Sequence, residues 1–200
     1  MSCAESYGIS IIAEAIKSLT ENYSNIRFHL YSGNFQTVTQ QLNSGLLDFA
    51  VTVQNINTSA YNSLNLPYTD KWGVLMRKDN ALANNPTINI QELSKLPIIV
   101  SRQGFSDEMP NELKNMQSTM NIIGTYDLLY NASIFVKAGL GYAFYFDKLV
   151  DTSTESDLIF KEISPNISSP MKLIWSGNQL LSKSAELFLK EIKNNTHFIE

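Results

Sequence analysis

The chain has 200 residues and is short of several residue types, each shortage removing a class of function. It holds one cysteine, Cys3, which excludes an internal disulfide and a thiolate metal cluster. No neighbouring cation stands beside Cys3 to lower its pKa, so a buried, inert thiol is expected there. Only two histidines occur, His29 inside an alternating stretch and His197 in the C-terminal tail. Neither has a partner at metal-ligand spacing, so no metal or cofactor is expected. No GxSxG, HExxH or Walker A pattern is present. Gly139-x-Gly141 follows a helix signal and opens a strand, the reverse of a dinucleotide-binding loop. Fifteen basic against nineteen acidic residues give a net charge of −4, with no basic stripe of the kind nucleic-acid binding requires. No apolar run approaches the ~20 residues of a membrane span. Glu5 and Glu14 interrupt the N-terminus and no basic segment precedes it, so no signal peptide is read, and a soluble, cytoplasmic chain is expected.

What is present is ordinary globular composition, 44% hydrophobic and 17% charged, in a chain long enough for a substantial core. Helix and strand signals alternate. Ile9, Ile12, Ile16 and Leu19 predict a helix over 7–19 with Ser6 as its N-cap. Ile26, Phe28 and Leu30 alternate with polar neighbours and predict a half-buried strand over 26–31. Phe35, Val38 and Leu42 mark a helix over 35–44 that Gly45 stops, and 48–53 reads as a strand. Residues 54–70, rich in Asn, Ser and Thr, read as a loop with a short strand at 64–66, and 71–78 as a strand. Asn89 with Glu92 three residues on reads as a capping box, and Pro110 opens a helix running to about Thr119. Strands over 96–101, 121–126 and 141–146, a helix over 128–138 closed by Gly139, strands over 158–163 and 171–175, and a helix over 182–193 complete the pattern. The order predicts an α/β fold with mainly parallel sheet, in two Rossmann-like lobes with a cleft between them. Lobe I takes residues 1–73 and 174–200, and lobe II takes 74–173.

In open α/β sheets a ligand lies beyond the C-terminal strand ends, where helix N-termini offer unpaired N–H groups. Ser6 and Tyr7 open the first helix, and Ser32, Gly33 and Asn34 open the second. Thr52 ends the 48–53 strand, Ser101, Arg102 and Gln103 end the 96–101 strand, and Tyr126 to Asn131 spans another strand-to-helix turn. Arg102 is one of only three arginines, and its planar fork suits a carboxylate. A surface salt bridge to Asp107 or Glu108 explains it equally well. Simple turn chemistry likewise explains Gly33 and Asn34. Asp107, Glu108 and Glu112 are read as helix-start carboxylates rather than a catalytic group.

Five segments in order resemble the effector-binding domain of LysR-type transcriptional regulators. They are "NIRFHLYSGNFQTVTQQLNSGLLDFAV" (25–51), "LPYTDKWGVLMRKDNALA" (66–83), "INIQELSKLPIIVSRQG" (88–104), "FVKAGLGYAFYF" (135–146) and "MKLIWSGNQLLSKSAELFLKEIK" (171–193). Ser24, Asn80-Ala81 and Phe146-Asp147 depart from the family's usual turn residues. The resemblance implies a type 2 periplasmic-binding-protein-like fold and a small, often carboxylate-bearing effector. It places Ser6, Tyr7, Gly33, Asn34, Thr52, Ser101, Arg102, Gln103, Tyr126 and Asn131 at the cleft. It also implies homodimers or homotetramers, no enzymatic activity, and DNA binding only through an N-terminal winged helix-turn-helix domain that has no counterpart here. A transporter's solute-binding protein of the same two-lobed type is the alternative.

Overall fold

The computed structural model describes residues 1–33, 35–53, 59–102 and 110–196. In chain order its elements are β1 (Ser2–Cys3), α1 (Ile9–Asn22), α2 (Phe35–Asn43), β2 (Ala50–Thr52), β3 (Tyr61–Arg77), β4 (Ile88–Asn89), β5 (Ile98–Ser101), α3 (Asn111–Lys114), β6 (Ile122–Tyr126), α4 (Leu129–Lys137), β7 (Tyr142–Phe146), β8 (Leu158–Ser164), β9 (Ser168–Ser176) and α5 (Lys183–Thr196). They form two compact units. One holds Met1–Thr69 with Pro170–Glu200, the other Asp70–Ser169, and the chain passes between them twice, within β3 and within β9.

In the first unit, β1 pairs in parallel with β2 and β2 antiparallel with β9, so this sheet is mixed rather than mainly parallel. Val38 and Leu42 on α2 bury against Leu47, Ala50 and Ile174. Each such side chain, fully buried, contributes about 1.5–3 kcal/mol over an exposed one. The α2 helix ends as its sequence requires: Gly45 takes a φ of +74°, and the Leu46 amide donates back to the Gln41 carbonyl. Helix α1 buries Ile12, Ala15, Ile16 and Leu19 and packs against α5, where the Ser18 hydroxyl donates to Glu191 at 2.7 Å.

Three readings are corrected in this unit. Helix α1 starts at Ile9 with Gly8 as N-cap, so Ser6 is not the cap; its Oγ instead accepts the Gly8 N–H at 3.0 Å, a turn earlier. The expected strand over 26–31 reduces to one bridge, Ser2 to Tyr31, with Phe28 and Leu30 more than half exposed. Ser2–Cys3 occupies the place beside β2, which leaves 26–31 at the margin of the sheet with no further strand to bury its apolar face. The expected loop over 54–70 is strand from Tyr61 on: β3 lies beside β9 in the sheet, and ladder pairing overrides the poor strand propensity of Asn62, Ser63 and Asn65.

In the second unit, β5 runs parallel to both β6 and β7, while β3 runs antiparallel to β7 and β8. Trp72 centres the core, stacked on Phe144 at 5.1 Å and edge-on to Phe146 at 4.6 Å. Its indole N–H, buried with the ring, donates to Ser169 Oγ at 2.9 Å. The capping box forms as read, Asn89 and Glu92 each meeting the other's end of the turn, although the turn it opens is a 3-10 helix over Ile90–Lys95. The helix expected from Pro110 to Thr119 is only four residues of α3 and a separate 3-10 turn, Gln117–Thr119. Asn80, which departs from the family's usual turn, accepts the Leu82 amide and donates to the Tyr142 hydroxyl at 2.7 Å.

Candidate functional site

The first unit gathers polar groups at one end of its sheet. Strands β1 and β2 run parallel with Cys3 opposite Val51, and the Ala4 amide donates to the Val51 carbonyl. The chain therefore leaves both strands at the same end, Thr52 closing β2 and Ser6 following β1. Ser6 is 7% exposed. Its Oγ accepts from Gly8 and donates to Met171 Sδ at 3.8 Å, a weak acceptor. Thr52 is 8% exposed, and its Oγ1 finds no hydrogen-bond partner among the described residues. A buried hydroxyl is ordinarily paired, so this one is an exception that calls for a cause.

Tyr7 is half exposed, its ring 6.1 Å from that of Tyr68. Gly8 is fixed by close approach: a Cβ there would stand 2.5 Å from Met171 Sδ and 2.6 Å from the Tyr68 ring. Tyr68 and Met171 thus belong to this wall, and sequence reasoning missed both. Tyr68 lies in a stretch read as loop, and Met171 reads as a plain core residue at the start of a strand. Ser32 and Gly33 lie ahead of α2 in no regular element. A Cβ on Gly33 would meet only Val38 at an ordinary 3.6 Å, so neither space nor backbone demands glycine there. Asn34 lies outside the described residues.

The second unit carries a separate set. Ser101, 5% exposed, ends β5 opposite Tyr126, the last residue of the parallel β6. The Arg102 amide donates to the Tyr126 carbonyl at 2.8 Å, which fixes where the guanidinium leaves the sheet. Arg102 Nε then stands 3.8 Å from Asp127 Oδ1, with both side chains well exposed. Among the described residues its partner is Asp127, on the neighbouring strand end; Asp107 and Glu108, which the sequence suggested, lie with Gln103 outside the described residues. An exposed pair of this length contributes about 0–1 kcal/mol and leaves the guanidinium open to exchange its partner. Tyr126 itself is buried, its hydroxyl donating to the Phe144 carbonyl at 3.3 Å and its ring edge-on to Tyr145. It holds the core beneath the strand ends. Asn131 is exposed in the first turn of α4.

Cys3 is half-buried, and burial pushes its thiol up to about 11, the opposite of an activated nucleophile. Among the described residues no group of three His, Cys, Asp or Glu side chains is placed to hold a metal ion, and no helix is long and apolar enough to cross a membrane.

Comparison with known proteins gives these strand ends a context. The LysR substrate binding domain model matches residues 1–196. The uncharacterized HTH-type transcriptional regulator YybE of Bacillus subtilis (strain 168) is 25% identical over 198 residues, which cover 96% of this chain and 65% of that protein. The chain thus spans just under two thirds of that relative's length. Among solved structures, the effector-binding domain of QuiR in complex with shikimate superposes with a TM-score of 0.80 at 14% identity, covering 100% of this chain and 97% of that one. The CcmR regulatory domain of Synechocystis PCC6803 in complex with 2-PG gives 0.78 at 15% identity, covering 99% and 96%. At such identities the superpositions establish the fold, and the family model establishes the kinship. Together they favour the regulator reading over a transporter's solute-binding protein: the chain belongs to the family of LysR-type effector-binding domains, the sensing portion of transcriptional regulators.

Proposed function

We propose that this domain senses a small anionic effector and that effector binding governs DNA binding by the intact regulator. The observation that carries the reading is the Thr52 hydroxyl, buried without a partner among the described residues at the end of β2. A group that costs stability in the free protein is accounted for if a ligand completes it. Ser6 supports the same assignment by its place, a buried hydroxyl at the same end of the sheet as Thr52. Arg102, held among the described residues by a long exposed contact to Asp127, is assigned the anionic group. Tyr7, Ser32, Gly33, Asn34, Ser101, Gln103 and Asn131 are the further contacts this reading allows, with Tyr126 as their support.

Such an effector acts by binding one conformation better than another, which shifts the population the DNA-binding part experiences. The reading makes the domain a binding module without turnover, working in the cytoplasm without a metal or cofactor. It also makes the protein a homodimer or homotetramer. Helix α4 supports this: Tyr130 and Ile134, one turn apart, and Phe135 stand more than half exposed, apolar side chains that a partner subunit would cover.

The test is a thermal-shift screen against small carboxylates, amino acids and aromatic acids. A ligand that binds only the folded state raises the melting temperature by mass action. The expected hit is an anion that Arg102→Ala weakens by about 1.5–3 kcal/mol while leaving the unliganded melting temperature nearly unchanged. An anionic hit equally tight to Arg102→Ala would remove Arg102 from the site. Turnover of any hit would overturn the sensor reading itself. Light scattering at high concentration checks the assembly, and a strictly monomeric mass would refute it.

A further inference from the structure

A groove of about 360 Å³ opens on the first unit, away from the Ser6 and Thr52 strand ends. Its floor is the buried side chains Ile16 and Leu19 of α1, Phe49 beside β2, and Ala185 and Phe188 of α5. The Phe49 and Phe188 rings lie 5.1 Å apart and tilted by 57°, so two aromatic rings form an angled part of that floor. The walls are segment 26–31 and the tip at Leu46, where Phe28 and Leu46 stand 54% and 75% exposed. Segment 26–31, held to the sheet by a single bridge, borders the groove with Ile26 and Phe28 and leaves it open.

On the rim stands Arg27. Its Nη1 donates to the Ser24 and Ile26 carbonyls at 2.7 and 3.0 Å, which anchors the guanidinium. Nε and Nη2 have no partner among the described residues. Arg77 pairs with Asp79 and Arg102 reaches Asp127, so Arg27 is the one arginine of the three without a carboxylate there. The rim's own carboxylate, Asp48, stands by the Met1 ammonium, whose proton it helps to hold against burial. An aromatic, mostly apolar floor with an anchored and uncommitted guanidinium at its edge matches one kind of occupant. The volume is within the usual range for small-molecule sites.

We infer that this groove is a second ligand site, distinct from the strand-end site, for a small aromatic acid whose ring lies on Phe49 and Phe188 and whose carboxylate meets Arg27. Heteronuclear NMR of the chain, titrated with naphthoate and separately with naphthyl methanol, tests it. Both probes present the same ring and only one presents the charge. Saturable shifts are expected at Leu19, Phe28, Leu46 and Ala185, with naphthoate bound about fivefold or more tighter than the alcohol. Arg27→Gln, an exposed change that leaves the floor intact, should erase that difference, and Ser184→Trp on the exposed rim should block both probes. Absence of saturable shifts at these residues would overturn the assignment, as would equal affinity for the two probes or a preference that survives Arg27→Gln. Shifts of the same resonances on raising protein concentration without probe would also overturn it, showing that a second copy fills the groove. None of these outcomes depends on Thr52 or Arg102, so this site and the strand-end site stand or fall separately.

Discussion

Replacing Thr52 by valine exchanges its unpartnered hydroxyl for a methyl group of nearly the same shape. The surroundings suit the methyl: Ala50, two residues back on the same face of the strand, is 0% exposed, so that face of the sheet is buried there. Valine also favours the strand conformation, and the register opposite Lys172 involves only backbone. A buried hydroxyl with no partner costs about 1–3 kcal/mol of desolvation. The residual 8% exposure argues for the lower end, so Thr52→Val should stabilise the free protein by about 1 kcal/mol. For a chain of this length that corresponds to a melting temperature about 2–4 °C higher. The measurement is thermal melting followed by circular dichroism, with a urea titration to check that the slope is unchanged while the midpoint rises. The same substitution should weaken any effector found in the screen. Stability and affinity are therefore expected to move in opposite directions, as they do where a binding group is kept at the expense of the fold. An unchanged or lower melting temperature would refute the reasoning, because it would mean that the hydroxyl is already satisfied in the free protein.

Other perturbations test the frame that presents these groups. An added Cβ at Gly73 would meet the Phe160 ring and the Lys161 carbonyl across the β3–β8 ladder, so Gly73→Ala should cost about 1–3 kcal/mol and lower the urea midpoint. Ser169→Ala strands the buried Trp72 indole N–H and should cost about 1–3 kcal/mol, with Ser169→Thr, which keeps an acceptor, recovering part of the loss in the same titration. With the folded-state thiol of Cys3 pushed up to about 11, the unfolded chain gives up this proton first as pH rises. Stability should therefore fall from about pH 9 toward 11, and Cys3→Ala should flatten that part of the urea-midpoint profile. At pH 8 the native thiol should react slowly with a disulfide reagent and rapidly in denaturant, and equal rates would refute its protection.

The parts of the fold legible in the sequence are those whose cause is local. Gly45 and Gly139 both adopt positive φ where a helix stops, and Asn89 with Glu92 forms its box within four residues of chain. Val38, Leu42, Ala185 and Phe188 bury as helical spacing says they should. The parts not legible depend on who pairs with whom. Segment 26–31 alternates as well as any strand, yet Ser2–Cys3 takes the ladder position beside β2 and 26–31 keeps a single bridge. Residues Tyr61 to Thr69 have a loop's composition and are strand because β9 lies alongside. The candidate site divides in the same way. Its positions at strand ends follow from the order of elements, but the burial of Tyr126 and the Arg102–Asp127 pairing arise from neighbouring strands that sequence distance hides.

That division has a physical origin. A core residue is selected to match its neighbours, so it repeats with the period of its helix or strand and can be found by that period. A ligand-contacting residue is selected for a partner that is not part of the chain, and nothing in its own segment records what is missing. Ser6 and Thr52 illustrate the point. By sequence each is a candidate only through its place at the edge of an element, and Ser6 also suggests a helix cap. In the fold, parallel β1 and β2 carry both to one end of a sheet, where Ser6 Oγ reaches Met171 Sδ and Thr52 Oγ1 has no partner among the described residues. A buried Thr52 hydroxyl without a partner among the described residues is a poor arrangement for stability alone. Under the proposed function that hydroxyl is the fixed half of a hydrogen bond, and what it lacks is an oxygen acceptor brought by the ligand.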